Sequence, residues 1–416
     1  MMHPNRRTIL QRAGALALSA VVSEQVTAED TASTIPQRTT PSHLPRAKPE
    51  EIGLDARQLQ VAYDRLEAWT RGEKPEVPGG AILVGRHGKT VGPRFFGRMG
   101  PEPDAPPMRP DALFLMASIT KPLTYLAGLM LVERGLLNLS DRVTRYVPEF
   151  AAHGKESVLV RHLFTHTSGL PDMLDNNETL RREHAPLQRF LDGAARETKL
   201  LFPPGTQVSY QSMGTAVVAE IVQRLSKKPI AEFLRTEIFQ PLGLSSIGLG
   251  SQGFAQERLV RVQVPEYQVG SDFSWNSDYW RKLGAPWGGL FSSPDDFAVL
   301  CQIMLARGEW KGARLLSPAS VRAMTTNRLL ELPELPADVA RTRPWGLGWR
   351  LNHPGTPDSW GDLLGPNVFG HTGATGTMVW MDPDTQGFCL LLTNAIRART
   401  PWRLVNLSNA IAAAFR

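Results

Sequence analysis

Ser118 and Lys121 stand at the head of an apolar run that reaches Leu137, with Pro122 directly behind the lysine. Residues three apart on a helix share one face, a turn above one another, so the spacing predicts an amine beside a hydroxyl. Proline is accepted in a first helical turn and breaks a helix interior. The helix is therefore expected to begin within a residue or two of Ser118, setting the hydroxyl at the positive end of the helix dipole. A serine hydroxyl is a poor nucleophile until a base takes its proton, and the spacing sets the Lys121 amine beside it, without deciding which group is the base. The run from Leu123 to Leu137 is apolar nearly all round, which predicts a helix buried at the centre of the fold.

Ser-x-x-Lys alone occurs by chance in most chains of this length, so the reading depends on the rest of the sequence. The 416 residues, 42% hydrophobic and 21% charged, suit a large globular core. The net charge of +6 is spread along the chain, without a basic stripe or aromatic-interleaved basic patch. Nucleic-acid binding has little support from that pattern. Arg6-Arg7 followed by the apolar stretch Ala13 to Val22 and by Val26-Thr27-Ala28 reads as a twin-arginine export signal. Cleavage near Ala28 and a periplasmic or extracellular location are expected. The stretch is far short of the about 20 residues a membrane span needs, and no cysteine follows it, so no stable membrane anchor is expected. Cys301 and Cys389 both fall in apolar runs and read as buried small hydrophobes, with a disulfide between them left open.

Residues 29–50, rich in Thr, Ser and Pro, read as a flexible leader, and 51–416 as one catalytic domain. Asp55 is a good N-cap for an amphipathic helix. Gly80 to Val84 reads as a strand, followed by a turn at Arg86-His87-Gly88-Lys89 and a second strand. That turn resembles a phosphate loop, but the Walker pattern needs glycine at 83, where Leu83 stands. Val217, Ile221 and Leu225 mark an amphipathic helix. Thr377 to Met381, Asp382-Pro383-Asp384 and Phe388 to Thr393 read as an antiparallel hairpin, with a final helix from Pro401 to Phe415. The expected fold is α/β (α+β): an antiparallel sheet from 51–117 and 263–416, flanked by helices, with a mostly helical lobe at 118–262.

Three short motifs follow in order: Ser118 to Lys121, Tyr210-Gln211-Ser212, and His371-Thr372-Gly373. With them come H-L-F-T-H-T-S-G-L-P (162–171), P-W-G-G-L-F-S-S-P-D-D (286–296), W-G-L-G-W (345–349) and G-H-T-G-A-T-G-T (370–377). In these residues the chain resembles the serine β-lactamase and penicillin-binding-protein superfamily. It looks closest to the branch of class C β-lactamases, D,D-carboxypeptidases and esterases, over most of 45–416. The resemblance implies the β-lactamase/transpeptidase-like fold and an acyl-enzyme on Ser118. It makes Lys121 and Tyr210 the proton-handling pair and the N–H groups of Ser118 and Ala374 the oxyanion hole. A cationic neighbour is expected to favour the tyrosinate of Tyr210. Glycine at 373 and 376 is expected to let the strand edge approach substrate.

Two residues depart from the pattern. Ser212 stands where the β-lactamases and peptidases usually carry asparagine, which offers a substrate amide both donor and acceptor. His371 stands where class C β-lactamases carry lysine. With an ordinary pKa near ~6.5 it would grip a carboxylate only as the pH falls toward about 6. Both changes point to a small ester as substrate. D,D-carboxypeptidase or β-lactamase activity is the alternative, and a penicillin-binding sensor with slow turnover is a reading of another class. His162 and His166 lie four apart without the Glu of H-E-x-x-H, so no metal is expected, and no cofactor. Trp287 and Trp345 either wall the pocket or pack beneath it. Arg397 and Arg399 read as a solvated turn, with a place near the substrate as the alternative. The absence of G-x-S-x-G excludes an α/β-hydrolase elbow.

Overall fold

A computed structural model describes residues 43–354 and 360–416. The export signal and residues 29–42 of the leader lie outside them. The last part of the leader belongs to the fold. Leu44 is buried, Ala47 N–H donates to the Thr90 carbonyl (2.8 Å) and Thr90 N–H to the Pro45 carbonyl (2.9 Å). Ordered packing thus begins ahead of residue 51, because one leucine in a polar stretch finds a core.

The strands in chain order are β1 (Gly79–Arg86), β2 (Lys89–Thr90), β3 (Arg94–Gly97), β4 (Phe114–Leu115), β5 (Ile247–Leu249) and β6 (Leu290–Ser292). They continue with β7 (Glu309–Trp310), β8 (Ala313–Arg314), β9 (Arg350–Leu351), β10 (Phe369–Gly373), β11 (Thr377–Asp382) and β12 (Gly387–Thr393). The main sheet has the order β2-β1-β12-β11-β10-β9, with β3 also on β1, and its pairs are antiparallel. N-terminal and C-terminal segments of the described fold meet where β1 pairs β12 from Gly80↔Thr393 to Arg86↔Gly387. The small sheet β4-β6-β5 ties the helical region back to this frame.

Five helices matter below: α1 (Ala56–Trp69), α2 (Lys121–Glu133), α3 (Met213–Ser226), α4 (Pro294–Leu305) and α5 (Trp402–Ala412). Successive strand side chains point to opposite faces. Ile82, Val84, Met378, Trp380 and Leu391 share a core with α1 and α5. Ala81, Leu83, Val379, Leu390 and Leu392 share the larger core with α2, α3 and α4. Both faces being covered, β1 reads as a continuous apolar run rather than an alternating one. Asp55 caps α1 by accepting from the N–H groups of Arg57 and Gln58. Cys301 and Cys389 are both free, buried in separate apolar clusters.

The helix α2 is buried from Lys121 to Leu131, at the centre as its composition requires. It ends at Glu133, four residues before the apolar run does. Gly135 adopts φ +70, its N–H donates to Val132, and Leu136 N–H reaches back to Leu131 (2.9 Å). That is the Schellman closure, and glycine supplies the left-handed residue it needs. No helix among the described residues is long and apolar enough to cross a membrane.

Candidate active site

Ser118 lies in a 3-10 turn, Ala117–Thr120, that runs straight into α2. Residues three apart eclipse in such a turn, so the Ser118–Lys121 pairing survives the change of helix type. The turn is held from outside. Met116 N–H donates to the Leu290 carbonyl (2.8 Å), and Leu290 N–H to Thr120 Oγ1 (3.0 Å). The hydroxyls of Thr375 and Thr377 donate to the carbonyls of Leu115 (2.7 Å) and Met116 (3.1 Å). Ala117, directly before the nucleophile position, takes φ +47, a region unfavourable to a residue with a Cβ. Gly373 also has a packing role: a Cβ there would sit 2.5 Å from the Met116 carbonyl oxygen. Its bareness lets β10 lie against the Ser118 turn.

Lys121 is 1% exposed. Its Nζ donates to Ser118 Oγ (3.2 Å) and to the Trp287 carbonyl (3.0 Å), and lies 4.6 Å from the Tyr210 ring centre. Burial penalises the charged amine and brings its pKa from 10.5 down to about 7, against a smaller opposite pull from the Asp172 carboxylate. Trp287 thus packs beneath the site and offers its carbonyl, whereas Trp345 lines the cavity.

Tyr210 comes from the irregular stretch before α3 and lines the same cavity as Ser118. Its phenol is held well above the ordinary value by the protein packed around it, against a smaller opposite pull from Ser118, although 37% of the residue is exposed to the cavity. This corrects the expected tyrosinate: burial favours the neutral phenol more strongly than nearby charge favours the anion. Ser212 is buried, and its hydroxyl donates to Asp172 Oδ1 (2.6 Å). Asp172 carried no signal of its own in the sequence.

His371 lies on β10 facing the cavity. Its Nδ1–H donates to the Thr372 carbonyl (2.8 Å). Burial, then the nearby Lys121, push its pKa down to about 3. The expected titration near pH 6 is thereby corrected: this imidazole stays neutral across the range in which an ordinary histidine switches. The cavity has a volume of about 880 Å³. Ser118, Tyr210, His371, Thr372, Gly373 and Ala374 are in its lining together with Arg343, Arg350 and Arg397, with no Asp or Glu in the described lining. Arg397 therefore belongs to the cavity wall, not to a solvated turn. Of the anticipated site residues, Lys121 and Ser212 alone stand behind the wall. The sequence reading missed Arg343 and Arg350, which no local motif marks.

A nucleophile turn, a buried lysine and a tyrosine loop converging on one cavity agree with comparison to known proteins. The profile of the Beta-lactamase family matches residues 66–409. The chain belongs to that family. A Salmonella schwarzengrund protein, provisionally named a D-alanyl-D-alanine carboxypeptidase, is 25% identical over 84% of this chain and 86% of its own. A penicillin-binding protein homologue from Caulobacter crescentus has the same fold, with TM-score 0.69, 23% identity, and 87% and 99% of the two chains covered. A family VIII carboxylesterase matches with TM-score 0.66 and 20% identity, over 86% and 98%. The chain is a serine hydrolase of β-lactamase fold.

Proposed function

We propose that the protein is an exported esterase that cleaves small esters through an acyl-Ser118 intermediate. The observation that carries this reading is the Lys121 amine, buried, held near a pKa of about 7 and 3.2 Å from Ser118 Oγ. Neutral Lys121 takes the hydroxyl proton as Oγ bonds to the ester carbonyl carbon. The carbonyl electrons move onto oxygen, where the N–H groups of Ser118 and Ala374 receive the negative charge. As the carbonyl re-forms, the bond to the alcohol breaks, and Tyr210, neutral and beside Lys121 in the same site as Ser118, relays the proton from Lys121 to the leaving oxygen. Water then repeats the steps on the acyl-enzyme, regenerating Ser118.

The preference for an ester is supported by Ser212, whose hydroxyl is engaged by Asp172 and has little left to offer a substrate amide. A second reading has its own observation. Arg343, Arg350 and Arg397 favour an anionic substrate such as a D,D-peptide or a β-lactam, whose carboxylate neutral His371 attracts little.

A paired assay separates the two. The periplasmic fraction of cells expressing the full chain is tested on p-nitrophenyl butyrate and on a chromogenic cephalosporin, with Ser118→Ala as the blank. Ester turnover at least about 10²-fold faster, lost in the blank, is the expected result. Faster cephalosporin turnover would establish the second reading. A stoichiometric burst that stalls would indicate a sensor, and activity confined to the cytoplasm would refute export.

A further inference from the structure

The two peptide N–H groups that flank Tyr210 end on one residue. Ser209 N–H donates to the His166 carbonyl oxygen (2.9 Å), and Gln211 N–H donates to His166 Nδ1 (3.2 Å). The imidazole also lies against the phenol ring, with centroids 4.9 Å apart and planes inclined by 31°. Trp345 closes on it at 4.3 Å. His166 is fully buried and holds φ +58, where its carbonyl and its ring both reach the same loop. Residues with a Cβ adopt that conformation uncommonly, histidine more readily than most.

We propose that His166 is the positioning residue for Tyr210, gripping the peptide groups on either side of it so that the phenol is aimed at Ser118. The inference rests on the reading of Tyr210 as the proton relay. The loop has no regular structure at residues 207–211 and so no ladder of its own to fix the ring. Neighbours of His166 complete the hold: Gly205 N–H donates to the Thr167 carbonyl (2.8 Å), and the Ser168 hydroxyl bonds Gln211 Oε1. Because Nδ1 accepts, the ring proton sits on Nε2 and the imidazole is neutral. Burial and the neighbouring Lys121 keep it so, holding the ring well below its ordinary pKa. The grip therefore persists while Lys121 titrates. A histidine that merely filled the core would need neither acceptor aimed at this loop.

Two substitutions separate positioning from packing. In His166→Asn the amide oxygen falls near the place of Nδ1, and asparagine tolerates the left-handed backbone. In His166→Gln the oxygen falls one bond farther out. The glutamine variant is expected to lose about 10²-fold in kcat on p-nitrophenyl butyrate, with KM changed less than about threefold. The asparagine variant is expected to recover to within about fivefold of wild type. In a Tyr210→Phe background the glutamine change should cost less than about threefold more, since a residue acting through Tyr210 has nothing left to position. Equal losses in both backgrounds, an asparagine variant no better than the glutamine one, or a glutamine variant with unaltered kcat would each overturn the proposal. Should the glutamine chain fail to fold by circular dichroism, His166→Ala in the two backgrounds decides by the same additivity. Tyr210→Phe alone reports on the underlying reading: a loss below about threefold would refute the relay itself, separately from the His166 pair.

Discussion

Lys121→Met is expected to lower kcat/KM on p-nitrophenyl butyrate by about 10²–10⁴-fold, the range general-base removal commands, and to leave the chain folded. Methionine matches the length of the lysine stem and fills the same buried space beneath Tyr210. It abolishes an amine that burial already disfavours in its charged form. Against that gain, the Trp287 carbonyl loses a donor at 3.0 Å, which costs about 1–3 kcal/mol if nothing replaces it. The two effects oppose each other, so the thermal midpoint should move by only a few degrees while activity collapses. Kinetics and thermal unfolding of the same preparation check this. A midpoint that falls in step with activity would make Lys121 a structural residue and remove the base from the mechanism.

The pH dependence follows from the same amine. Only the neutral form accepts the Ser118 proton, and burial brings the midpoint of that form to about pH 7. The acylation rate should therefore rise about tenfold per pH unit below the midpoint and level off above it. The groups around Lys121 add no second step there. The Tyr210 phenol is held well above its ordinary value, His166 well below, and His371 near about 3. The Asp172 carboxylate favours the charged amine, so Asp172→Asn should move the rising limb to lower pH. For the same reason the ratio of rates on carboxylate-bearing and neutral esters should stay flat from about pH 5.5 to about 8, where an ordinary histidine at 371 would produce a step. Stopped-flow acylation rates across that range test all three statements. A descending limb, or no dependence, would contradict Lys121 as the base.

What was legible in the sequence was local. Ser118 and Lys121 are one turn apart, Pro122 marks a helix start, and Asp55 marks another, because each signal acts within three or four residues. The Asp382-Pro383-Asp384 turn joins β11 to β12 for the same reason. The stop at Gly135 was readable too, but the apolar Leu136 and Leu137 behind it carried the helix pattern past its end. Effects of burial were not legible. The state of Tyr210 and His371 depends on how much protein surrounds them, and burial there outweighs the nearby charges. Ser212 looked like a weak substrate contact because Asp172, forty residues away, is invisible from its neighbours. The stretch 162–171 identified the family without disclosing that His166 within it holds the Tyr210 loop.

The measurement that tests the central claim most directly is the mass of the chain during turnover. Enzyme mixed with excess p-nitrophenyl butyrate is quenched in acid within the first turnovers and digested. One butyryl group per chain is expected, on the hydroxyl of Ser118 in the peptide that contains it. It should be absent from Ser118→Ala and should accumulate more slowly in Lys121→Met. An acyl group on any other residue, or turnover with Ser118 unmodified at every time point, would contradict the account.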